Sequence, residues 1–188
     1  MNVVELASVP EQPWRNGGGL TRELLAWPAA VPWQLRVSVA EITRDGGFSA
    51  FPGVQRWFAV IEGAGVELDF DGRRALLTPD SVPCTFDGAA APACRLIDGG
   101  TRDLNLMVQQ HAGLGDMLPV APGVPWHSSA AWRGVFSAGP LQLHMGTAAS
   151  LALSAGSLAW HDAAAGQSWH CTGGSGPAWW LSMHLHAR

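Results

Sequence analysis

The sequence predicts an all-β protein, and three observations carry that reading. Apolar residues fall in short runs bounded by Gly, Pro and Asp. Several of those runs alternate with a period of two. Long helical periodicity is scarce. Trp33–Ile42 alternates most cleanly, with Leu35, Val37 and Val39 on one side and Arg36, Ser38 and Ala40 on the other. Arg56–Ile61 is an apolar strand that stops at Glu62-Gly63-Ala64-Gly65. Val66–Phe70 runs into Asp71-Gly72, a two-residue hairpin signal, and Arg73–Leu77 returns. Pro79–Pro83 is a turn region. Cys94–Ile97 and Asp103–Gln109 flank the Gly99-Gly100 turn. Further strands are expected at Trp132–Ala138, Leu141–Met145, Ser150–Ala155, Ser157–His161 and Trp179–His186, with a loop over Gly166–Gly176.

The chain has 188 residues, 47% hydrophobic and 14% charged, a globular composition with room for one good core or two small β-modules. Two strand-rich halves around a Gly-, Pro- and Met-rich middle suggest two modules, 1–110 and 111–188, with 111–131 as the connection. The formal net charge is -4, and all 11 basic side chains are Arg without a basic run, so nucleic acid is not an expected partner. Three cysteines without a CxxC pair fit a reducing compartment. The opening MNVVELASVPEQPW has early acidic residues and no long apolar core, and no apolar run is long enough to span a membrane. A cytoplasmic location is expected. Exposed sheet edges invite pairing, which makes a homodimer a candidate assembly.

Four stretches bear on function. QPWRNGGGLTR, Gln12–Arg22, joins three glycines to Arg15, Asn16 and Arg22. Glycine lets backbone approach a ligand or take positive φ, Asn offers donor and acceptor, and Arg offers a forked cation. The stretch is either a loop over a pocket, with Gly17 and Gly18 presenting backbone N–H groups, or a tight turn. In GFSAFPGVQR, Phe48 and Phe51 are natural core plugs and Arg56 opens a strand from which it can point inward. In RDLNLMVQ, strand geometry puts Leu104, Leu106 and Val108 on a core face and Asp103, Asn105 and Met107 on the other. That second face meets either solvent or a cavity. His184-Leu185-His186 sets two imidazoles on one strand face, as metal ligands or as ordinary histidines; with no third ligand nearby, no metal or cofactor is expected. No Gly-x-Ser-x-Gly, phosphate loop or paired-carboxylate signature is present.

Taken together, PWRNGGGLTRE, FSAFPGVQR, VIEGAG and RDLNLMV, in this order and spacing, resemble the HutD/Ves family of small bacterial proteins. The resemblance is dense over Pro13–Gln109. It implies a cupin-like bi-barrel, two β-barrel or jelly-roll modules in one unit, and an association with histidine utilisation. It carries over Arg15, Asn16, Gly17, Gly18, Gly19, Arg22, Glu23, Glu41, Arg56, Glu62, Arg102, Asp103 and Asn105 as matching positions. The HxH…E set of metal cupins is absent from the first half, where the chain reads VIEGAGVEL. The expected function is binding of a small polar or carboxylate metabolite, with Arg15, Asn16, Gly17, Gly18, Arg56, Asp103 and Asn105 as the ligand set. The alternative is a degenerate cupin enzyme: an isomerase, a hydrolase or a metal-dependent enzyme.

Overall fold

A computed structural model describes residues 1–146, 149–162, 166 and 168–187. The first half carries β1 (Asn2–Glu5), β2 (Gln12–Pro13), β3 (Gly19–Trp27), β4 (Leu35–Ile42), β5 (Gly46–Gly47), β6 (Val54–Glu62), β7 (Val66–Phe70), β8 (Arg73–Leu77), β9 (Cys84–Asp87), β10 (Ala93–Leu96) and β11 (Thr101–Gln109). The second carries β12 (Gly113–Pro119), β13 (Trp132–Ser137), β14 (Leu141–Met145), β15 (Ala149–Leu153), β16 (Ser157–His161), β17 (Trp169–Thr172) and β18 (Ala178–Leu185). Two one-turn 3-10 segments, Leu6–Ser8 and Gly88–Ala90, are the helical elements among the described residues.

The chain divides into two compact units. One is Val9–Ala112; the other combines Met1–Ser8 with Gly113–Arg188.

In the first unit a six-stranded sheet runs β2-β3-β4-β11-β6-β9, and a four-stranded sheet runs β5-β10-β7-β8. The antiparallel register sets Leu104, Leu106 and Val108 of β11 opposite Val39, Val37 and Leu35 of β4. All six are buried, which makes one face of the sheet continuously apolar. The other face changes character along its length. Phe58, Val60 and Ile42 join Val66, Leu68, Leu77, Phe86 and Cys94 in a hydrophobic cluster. Beside that cluster, the same face carries Ser38, Arg56, Asp103 and Asn105, all buried. The β7–β8 hairpin forms at Asp71-Gly72 as the sequence indicates, and the Asp69 carboxylate accepts from the Gly72 N–H at 2.7 Å.

The second unit has a five-stranded sheet, β1-β16-β13-β18-β12, and a three-stranded sheet, β15-β14-β17. Its core unites Val135, Leu141, Leu143, Leu153, Ala159, Trp169, Cys171 and Trp180. Trp126 stacks on Trp180, with ring centroids 4.8 Å apart and planes 6° from parallel.

The structure departs from the sequence reading in three places here. Residues 2–5 pair with β16 and fold with the second unit, whereas the sequence places them in module 1–110. The expected connection 111–131 opens with a full strand, β12, paired along β18. Glycine, Asp and Pro dilute its alternation, and the pairing with β18 supplies what local pattern lacks. Trp169–Thr172, read as loop, is β17, which pairs with β14; Gln167 of that stretch lies outside the described residues.

Candidate functional site

A cavity of about 440 Å³ opens into the first unit. Its walls come from six places. The Gln12–Asn16 segment supplies Trp14, Arg15 and Asn16, and β3 supplies Thr21. β4 contributes Arg36, Ser38 and Ala40, the polar side of the alternation seen in the sequence. The loop after β5 adds Phe48 and Phe51. β6 adds Arg56, and β11 adds Asp103, Asn105 and Met107. Strand register explains the convergence: Asn105 lies opposite Ser38 of β4 and Phe58 of β6, and Met107 opposite Arg36 and Arg56. Three adjacent strands therefore project side chains of one parity into the same space.

A chain of polar groups runs through the cavity wall. Arg56 Nη2 donates to Asn105 Oδ1 at 2.8 Å, and Asn105 Nδ2 donates to Asp103 Oδ1 at 2.5 Å. Arg56 Nε and Nη1 and Asp103 Oδ2 have no hydrogen-bond partner among the described residues. Arg56 is 6% exposed and Asp103 0%. Three rings surround the guanidinium, with its Cζ 5.0 Å from the Phe86 centroid, 5.2 Å from Phe48 and 5.7 Å from Phe51. Burial lowers the Arg56 pKa to about 10, with Asp103 opposing and Arg36 assisting. Burial raises Asp103 to about 8, although Arg56 and the Asn105 hydrogen bond pull it down.

The glycine segment is a built turn beside this cavity. Asn16 Oδ1 accepts from the Gly18 N–H at 3.0 Å, and the Gly17 N–H donates to the Trp14 carbonyl at 3.0 Å. Gly17 sits at φ +67, the left-handed region that glycine tolerates. At Gly19 a Cβ would stand 2.2 Å from the Glu41 carbonyl oxygen, so close strand packing requires glycine. Trp14 is held by its indole N–H, which donates to Thr21 Oγ1 at 2.8 Å. Arg15 and Asn16 line the cavity; Gly17 and Gly18 do not. The N–H groups of Gly17 and Gly18, expected as donors to a ligand, are engaged within the turn.

The remaining family-matching polar positions do not line the large cavity and form ion pairs instead. Arg22 pairs with Glu41 at 3.1 Å and with Glu11. Arg102 bridges Glu41 at 2.8 Å and Glu62 at 2.9 Å. Glu41, Glu62 and Arg102 border a smaller depression of about 290 Å³. Glu23 pairs with Arg36 at 2.5 Å.

The sequence reading did not single out Trp14, Thr21, Arg36, Ser38 or Phe86 as site residues. The signal for Arg36 and Ser38 was present in the β4 alternation; Phe86 reaches Arg56 only through the β6–β9 pairing.

Thiol chemistry has little footing. Burial raises Cys94 and Cys171 to about 12, and it also raises Cys84. His184 and His186 are exposed at and beyond the end of β18. His144 and His170 stack across β14 and β17 with centroids 4.5 Å apart, and His144 Nε2 lies 2.8 Å from Thr172 Oγ1. No group of three or more His, Cys, Asp or Glu side chains able to hold a metal ion converges among the described residues.

Two β-units, each of two antiparallel sheets, with a polar cavity in the first, define a cupin-like all-β protein. A Bacillus subtilis oxalate decarboxylase variant shares this fold at 9% identity, TM-score 0.63, over 99% of this chain and 78% of its own. The chain belongs to the HutD family, whose model matches residues 6–178. HutD from Pseudomonas fluorescens SBW25, described for a formate condition, superposes with a TM-score of 0.87 at 29% identity over 99% of both chains. A Pseudomonas putida protein described as an uncharacterised 21.2 kDa protein in the hutC 3' region is 36% identical over 111 residues, 57% of either chain. Protein Ves of Citrobacter koseri is 34% identical over 112 residues, 58% of this chain and 59% of its own. The matches thus span less than two thirds of these curated relatives. No helix among the described residues is long and apolar enough to cross a membrane.

Proposed function

We propose that this HutD-family protein binds a small polar metabolite bearing a carboxylate in the cavity of its first unit, and acts as a non-enzymatic regulator linked to histidine utilisation. One observation carries the reading. Arg56 is buried in the cavity wall, with two N–H-bearing nitrogens lacking any partner among the described residues. A buried guanidinium with unfilled donors is costly unless an acceptor completes it, and a carboxylate matches its fork. Arg15 at the mouth adds a second cation, and Asn16 and Asn105 supply orienting amides. The cavity's volume lies in the range of small-molecule sites. The hutC-region relative supports the pathway association. Three free cysteines, two of them buried, support a cytoplasmic location, and a homodimer through an exposed sheet edge is the proposed assembly.

A thermal-shift screen with urocanate, glutamate, formylglutamate and histidine tests the reading. A ligand at about 100 times its dissociation constant adds about 2.7 kcal/mol of stability. Arg56→Met abolishes that ligand-dependent gain. Absence of a shift with all four compounds counts against binding, and a shift that survives Arg56→Met moves the site elsewhere.

A further inference from the structure

We propose that a small carboxylate enters the first-unit cavity together with one proton, and that Asp103 holds that proton. The inference rests on the binding reading above and specifies the ionic form in which the ligand is taken.

The geometry sets up the coupling. One amide, Asn105, joins the two ionisable groups, taking the Arg56 N–H on its oxygen and giving its own N–H to Asp103. The amide orientation is fixed by this polarity, since guanidinium only donates and a carboxylate oxygen accepts. Asp103 therefore sits one side chain behind Arg56, fully buried, with Oδ2 unpartnered. When Asp103 is ionised, the Arg56 charge is already balanced, and an arriving carboxylate brings a second anion into a buried site. When Asp103 is protonated, Arg56 is an uncompensated cation. Two carboxyl groups flanking one guanidinium then favour a shared proton over double ionisation.

The surrounding groups leave Asp103 as the one that titrates. Arg36 faces the cavity from β4 but is paired with Glu23. Cys94 faces Asp103 from β10 and stays a thiol, since burial and the Asp103 charge both raise it. Arg15 lies at the mouth on the turn segment, and β3 contributes only the neutral Thr21 to the cavity. Burial already keeps Asp103 near its protonated form at neutrality. An anion beside Arg56 pushes it further that way.

Sodium formate, a carboxylate that stays ionised between about pH 6 and 9, is the probe. Its affinity for the full chain is measured across that range by NMR titration, and its binding heat at about pH 9 in two buffers of different ionisation enthalpy. Coupling predicts that affinity falls by up to about 10-fold per pH unit above the Asp103 pKa. It also predicts proton uptake approaching one per formate at the alkaline end, and loss of the pH dependence in Asp103→Asn. If Asp103→Asn fails to fold, the two-buffer comparison on the wild type decides. Formate binding with equal affinity across the range and no buffer-dependent heat overturns the coupling and leaves the binding site standing. Failure of formate and of all four screening compounds to bind overturns both.

Discussion

The two β-units solve the same folding problem with differently filled interiors. The second fills its core with Trp169, Trp180, Leu143, Val135 and Cys171, and Trp126 stacks onto that cluster. The first is apolar only part of the way, around Phe58, Leu68 and Phe86. Beyond that cluster, Arg56, Asn105 and Asp103 occupy positions that would otherwise hold apolar side chains, and a cavity opens beside them. Both units bury an arginine, but Arg133 of the second lies over the Trp169 ring, its Cζ 4.4 Å from the centroid, whereas Arg56 of the first lines a cavity with Nε and Nη1 unpartnered among the described residues. The comparison therefore sets a filled interior beside one that opens on the candidate site.

Three experiments can break or sharpen that contrast. The largest effect belongs to the packed unit. Trp169→Ala removes a fully buried ring and should cost about 3–5 kcal/mol in chemical denaturation. A small loss would mean that the second interior is less tightly filled than its burial indicates.

The next effect, read per pH unit, belongs to the polar interior. Folding raises Asp103 from its ordinary 3.8 to about 8, so between those values the folded chain holds a proton that the unfolded chain has released. Its contribution to stability is complete at low pH and is lost as pH rises through about 8. The limiting slope is about 1.4 kcal/mol per pH unit. Asp103→Asn should remove that slope in denaturation curves taken across the window; an unchanged slope would assign it to other groups.

The smallest effect tests the boundary of the site. Arg102 is a bridge between two part-exposed carboxylates outside the large cavity. Arg102→Ala should cost about 1 kcal/mol or less and leave ligand shifts intact. Loss of ligand response would extend the site to the Glu41–Glu62 depression.

Much of this contrast was legible in particular residues. The β11 pattern separated Leu104, Leu106 and Val108 from Asp103, Asn105 and Met107, and the structure buries the first set and lines the cavity with the second. The β4 alternation placed Arg36 and Ser38 on the face that proves to be the cavity side. Other features left weak traces. β12 is broken up by Gly113, Gly115 and Asp116, and its strand form depends on β18. β17 sits in a glycine-rich stretch and is drawn into the sheet by β14. Phe86 entered the Arg56 cage through pairing alone.

The sequence by itself determined the all-β class, the parity of each strong strand and the family, because side-chain alternation and the order of motifs are local and linear properties. Only the tertiary structure decided that Asp103, Asn105 and Arg56 form one connected chain, that the Gly17 and Gly18 N–H groups close a turn, and that Met1–Ser8 belongs with the second unit. Register across β4, β11 and β6 fixes which polar groups meet, and register is set by pairing between distant strands that no local pattern encodes.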